Sequence, residues 1–169
     1  MGANPRRAAL AAAAAGCAAA VLQGCGFHLR GAQTYAFQTL AVEPNPGGPA
    51  ALELRRTLAS SLRVLPAGRP LKEAEVVLRL LQEQRERVVV GVNASGQVRE
   101  LQLRLRARFS AGTLQGAELI PETELLLTRD VTYNETAALA KEAEEALLYR
   151  DMQSDLVQQL QRRLAALKP

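Results

Sequence analysis

Between Leu101 and Phe109 the chain reads LQLRLRARF, with every odd position apolar and every even position Gln or Arg. A period of two belongs to a β-strand, whose successive side chains point to opposite faces. In a helix the same residues would scatter around the axis and leave no face to bury. The strand must therefore lie in a sheet with one apolar and one polar face. The apolar face needs a covering layer, which the rest of the chain has to supply.

Two segments carry the helical spacing that such a layer requires. In PAALELRRTLASSLRVLP, residues 49–66, Ala51, Leu54, Leu58, Leu62 and Leu65 recur at three and four, with Pro49 suited to the first turn and Pro66 to the end. From Asn134 to Leu167 a stripe of Leu139, Ala143, Ala146, Tyr149, Met152, Leu156, Leu160, Leu164 and Leu167 keeps the same spacing. Strands are expected over Tyr35 to Glu43, Ala74 to Val92 (long or bent), Gln97 to Ser110 and Glu122 to Tyr133. Pro44 to Pro49 reads as a loop, Asn93-Ala94-Ser95-Gly96 as a hairpin turn, and Ala111 to Pro121 as a further loop. The expected fold is α+β with order β-α-β-β-β-α, a two-layer sandwich of two helices on one face of a four-stranded sheet. A chain of 169 residues builds one such domain, here residues 35–169. Aromatics are 4% and Trp is absent, so the core is made of Leu, Val and Ala.

The start of the chain has a different logic. Arg6 and Arg7 precede an uncharged, Ala-rich run from Ala8 to Val21, too short to span a bilayer comfortably. This reads as a secretory signal, residues 1–24. It ends in Leu22-Gln23-Gly24-Cys25, which resembles a bacterial lipobox. Cys25 is the expected lipidation site, carrying a covalent diacylglycerol and an N-acyl chain, and residues 25–34 form a lipidated tether. Each buried methylene contributes about 0.8 kcal/mol, so three chains make a stable anchor. Gly26 stands where an Asp would signal inner-membrane retention, which favours an outer-membrane location facing the periplasm. Without residues 1–24 the balance is 19 basic against 17 acidic side chains, too even for a broadly basic nucleic-acid binder. His28 is the chain's one histidine, so no His/Cys cluster offers a metal site and no base accompanies the serines. A Gly-rich phosphate loop and a GxSxG elbow are missing as well, and the chain reads as a non-enzyme with no cofactor.

Cys25 is followed at once by Gly26-Phe27-His28-Leu29-Arg30. A lipobox cysteine leading into this pattern resembles the LPS-assembly lipoprotein (LptE) family, and so does the C-terminal run RDVTYNETAALAKEAEEALLYRDMQSDLVQQLQRRL. The resemblance implies a 1:1 partnership with an LptD-type outer-membrane β-barrel, whose lumen the lipoprotein plugs, and binding of lipopolysaccharide (LPS). It also implies LPS contact by basic residues near the start of the last helix, a position matched by Lys141. A second basic position in the family falls on the turn 93–96, which holds none here; Arg87 and Arg99 flank it. Arginine suits phosphate through its bidentate fork. The row Arg104, Arg106, Arg108 has two readings. It is a cationic face for phosphate or for an acidic barrel wall, or it is a solvated face paired with Glu from neighbouring strands. The competing function is a free-standing, periplasm-facing lipoprotein that binds envelope lipid without a barrel.

Overall fold

The computed structural model describes residues 33–44, 47–66, 69–134 and 138–168. The signal segment, Cys25, His28 and all but the last two residues of the tether lie outside them. The elements are β1 (Thr39–Glu43), α1 (Pro49–Leu58), β2 (Arg63–Val64), β3 (Val76–Val92), β4 (Val98–Gly112), β5 (Glu118–Thr132) and α2 (Ala138–Ala165). The sheet is mixed and has five strands in the order β2-β1-β3-β4-β5, one more than the four expected. β1 runs parallel to β2 and β3, whereas β3, β4 and β5 form an antiparallel meander.

The extra strand arises because the first helix stops at Leu58, short of Pro66. Thr57 in its last turn and Ser60 just beyond it donate through their hydroxyls to the backbone carbonyls of Glu53, Leu54 and Thr57. Such bonds compete with the helical ladder. Leu62 and Leu65 are buried as their spacing predicts, but from extended chain that pairs Arg63 with Thr39 and Val64 with Leu40. The loop expected over 111–121 is mostly strand. β4 continues to Gly112, β5 begins at Glu118, and only Thr113–Ala117 turns. Pro121 sits inside β5 because this is an edge strand and the register slips there: Phe109 pairs with Thr123 but Ala111 with Ile120.

Both helices share one apolar core with one face of the sheet. Ala50, Ala51, Leu54 and Leu58 of α1 and Met152, Leu156, Leu160 and Leu164 of α2 meet Leu103, Leu105, Ala107 and Phe109 of β4. Glu53 ties the two helices together, accepting from Gln153 Nε2 at 2.6 Å and from Ser154 Oγ at 2.9 Å. The start of α1 is capped from another element: the Glu83 carboxylate on β3 accepts the Ala50 N–H at 3.2 Å. A Cβ on Gly48 would lie 2.5 Å from that carboxylate, so glycine is the residue that leaves room for the cap. On the opposite sheet face only a small cluster forms, Ala41, Leu65, Ala74 and Val77 with Leu71 beside it.

Candidate functional site

A β-bulge at Leu81 decides what each sheet face presents. Leu80 pairs with Phe109 and Gln82 with Arg108, so β3 carries one residue more than β4 at this point. The inserted residue reverses the alternation. Before the bulge Val76, Leu78 and Leu80 face the helices. After it, register places Glu83, Arg85, Arg87 and Val89 on that side, opposite Ala107, Leu105, Leu103 and Leu101. The open side then shows Gln82, Gln84 and Glu86 beside Arg108, Arg106 and Arg104.

On the open face two of the three arginines in the row, Arg106 and Arg108, are ion-paired across strands. Arg106 Nη1 meets Glu124 Oε1 on β5 at 2.6 Å, and its Nε lies 3.5 Å from Glu86 Oε1 on β3. The hydrogen bond and charge of Glu124, with help from Glu86, raise the Arg106 pKa above its ordinary value. Arg108 Nη2 meets Glu122 Oε1 at 2.6 Å, and Arg104 Nε donates to Gln102 Oε1 at 2.8 Å. Leu126 is exposed in the middle of β5. This is a charge-balanced polar surface, built by the cross-strand pairing of one of the two sequence readings.

The far end of the sheet, beyond the bulge, brings three of the basic candidates into one region. Arg87 lies on the helix side: its Nε is 3.7 Å from Glu145 Oε1, and its guanidinium carbon is 5.5 Å from the Tyr133 ring centre. Lys141 Nζ is 2.7 Å from Glu144 Oε2 and 3.5 Å from Thr132 Oγ1, leaving its side chain 19% exposed. Arg99 is exposed beside Gln97, and its carbonyl accepts the Tyr133 N–H. Arg85 donates to Gln153 and stacks over Tyr149, whose hydroxyl donates to the Glu86 carbonyl at 2.6 Å. Burial, followed by the Glu145 carboxylate, raises the Tyr149 pKa. The turn itself is self-satisfied, with Asn93 Oδ1 accepting the N–H groups of Ser95 and Gln97.

Sequence reasoning missed Glu145. The stripe drawn through Ala143 and Ala146 to Tyr149 and Met152 takes three successive steps of three residues. Each step falls about 60° short of a full turn, so the stripe swings to the opposite side of the helix. Leu139 and Leu147 are accordingly 84% and 58% exposed. The residues in line with Met152 are Glu145 and Lys141, seven and eleven positions earlier. Counting back by seven and then by four would have found them. Among the described residues no three His, Cys, Asp or Glu side chains converge on a metal position, and no helix is long and apolar enough to cross a membrane.

The profile of the lipopolysaccharide-assembly family LptE matches residues 37–164. The chain belongs to the LptE family. Among its relatives, an LPS-assembly lipoprotein LptE of Pectobacterium atrosepticum is 31% identical over 153 residues, covering 88% of this chain and 81% of that one. The LptE fold agrees with solved structures. The solution structure of a lipoprotein B from Nitrosomonas europaea superposes with a TM-score of 0.69 at 30% identity, over 83% of this chain and 91% of that one. A rare lipoprotein B crystal structure from Shewanella oneidensis gives 0.64 at 22% identity, over 76% and 95%, a likeness of fold alone.

Proposed function

We propose that this LptE-family protein is a non-enzymatic subunit of LPS assembly at the outer membrane. In this reading it is held by acyl chains on Cys25, faces the periplasm, and plugs an LptD-type β-barrel in 1:1 ratio. The observation that carries the reading is the open sheet face. A water-filled barrel lumen is polar, and a plug within it needs a broad surface of satisfied charges. Arg106 and Arg108 with their glutamate partners, and Arg104 bonded to Gln102, make that surface. Lys141, Arg87 and Arg99 at the far end supply cations for the phosphates of LPS.

The test is an affinity pull-down from detergent-solubilised outer membranes with a tag after Pro169, followed by mass identification. A large β-barrel in one-to-one amount is the expected result, with photo-crosslinks from positions 104, 106 and 108 landing on its inner wall. Recovery of lipid alone, under conditions that keep a known barrel complex intact, overturns the plug in favour of a free-standing lipid binder.

A further inference from the structure

We infer that Glu145 is a built-in counter-ion, holding Arg87 in the place of an anionic ligand and setting how tightly that ligand binds. The inference rests on the reading that Arg87 and Lys141 take phosphate groups of LPS. Among the described residues Glu145 is the charged residue that is buried, with its side chain 11% exposed. Burying a carboxylate is unfavourable unless it is well paired. Here the pairing is loose. Arg87 and Glu145 stand 3.7 Å apart, whereas Arg106 meets Glu124, and Arg108 meets Glu122, at 2.6 Å. A charge-assisted hydrogen bond is shorter, about 2.7–2.9 Å. The Arg106–Glu124 and Arg108–Glu122 pairs are therefore closed contacts, and the Arg87 pair is one that a stronger acceptor displaces.

Three features suit such an exchange. Arg87 is 47% exposed, so a ligand reaches it from outside while Glu145 holds it from within. The Tyr133 ring lies under the guanidinium, and this cation–π contact steadies Arg87 whichever anion it meets. Helix geometry fixes Glu145: it lies in line with Met152 in the buried seam and cannot swing away as the half-exposed Glu144 can from Lys141. A phosphate group brings more charge and more acceptor oxygens than one carboxylate, so it wins the exchange, but its net gain is reduced by the contact it replaces.

The experiment titrates fluorescently labelled LPS with the full chain in detergent and reads anisotropy, below the unfolding midpoint of each variant. Glu145→Gln keeps the shape and removes the competing charge; it should tighten binding about tenfold, the worth of one charge-assisted contact. Glu145→Met, better suited to a buried site, carries the same expectation if the Gln variant does not fold. Asp155→Asn is the control for net charge, since it removes one acid from the Arg129 pair on the same helix; affinity should change by less than about twofold, as expected for an exposed pair. Unchanged or weaker binding in both Glu145 variants, with Arg87→Gln still weakening it, overturns the counter-ion and leaves the site standing. If Arg87→Gln, Lys141→Gln and Glu145→Gln all match the parent chain, the counter-ion and the phosphate site fall together.

Discussion

The two ends of α2 face the same sheet but meet it in opposite ways. From Met152 onward the helix presents Met152, Leu156, Leu160 and Leu164 to Leu105, Ala107 and Phe109 in one buried apolar cluster. Before Tyr149 it presents Glu145 and Lys141 to Arg87 and Thr132, while Leu139 and Leu147 point to solvent. Beyond the Leu81 bulge the polar side of β3 is turned inward, so Arg85 and Arg87 stand on the helix side where the apolar stripe of α2 turns outward. One end is thus held by non-directional burial. The other is held by specific charged contacts that a ligand or partner is able to exchange. Exchange of that kind suits the recognition end of a molecule better than an oily core does.

The largest expected effect tests whether the two ends differ in energy as they do in composition. Leu156 is fully buried, and Leu156→Ala should cost about 3 kcal/mol through lost transfer energy and the cavity left behind. Leu139 belongs to the same sequence stripe but is 84% exposed, and Leu139→Ala should stay within about 0.5 kcal/mol. Urea unfolding of both variants decides this. Equal losses would mean that the first turns of α2 are packed in solution, and the contrast between the ends would collapse.

What was legible in the sequence follows the same division. The β4 alternation is uninterrupted, so its faces were read correctly from Leu101 to Phe109. The two helices and the long strands were legible for a similar reason, since long periodic runs declare their own secondary structure. The fifth strand was not. Arg63 and Val64 have no period of their own and become a strand only because β1 offers a free edge. At the site, Arg87 and Lys141 were legible as charges but their neighbours were not. Both the bulge and the drift of the α2 stripe shift phase by small steps that leave the composition unchanged. Glu145 looked like one more solvated acid beside Glu144.

A middle-sized effect sharpens the account of the polar end. Arg87 and Glu145 are unequally buried, at 47% and 11% exposure, so removing each partner should cost differently. Arg87→Gln leaves a carboxylate enclosed without its cation and should destabilise by about 2–3 kcal/mol. Glu145→Gln leaves an arginine that is half in water and still stacked on Tyr133, and should cost about 1 kcal/mol or less. Thermal unfolding of the pair of variants measures the asymmetry. Equal costs, or a larger cost for the Glu145 variant, would show that the pair lies in water in solution.

The smallest effect separates the two ends by pH. Tyr35 and Tyr149 both have raised pKa values: Tyr35 by burial near the start of the domain, Tyr149 by burial and then by the Glu145 carboxylate. A raised tyrosine pKa means that the folded state prefers the neutral phenol. Its stabilising contribution is complete below the ordinary tyrosine value of about 10 and is lost as pH rises through the higher folded value. For Tyr149 ionisation also removes the donor of its 2.6 Å bond to the Glu86 carbonyl, which ties α2 to β3 at the boundary between the two ends. Tyr149→Phe should cost about 1 kcal/mol at neutral pH and make the alkaline loss shallower. Tyr35→Phe loses only a 3.1 Å bond to the nearby Gln33 and should cost less at neutral pH. Amide exchange across Gln84–Val88 would locate the difference, because only the Tyr149 variant should loosen that stretch of β3. Identical exchange in both would place the docking of α2 in its apolar half alone.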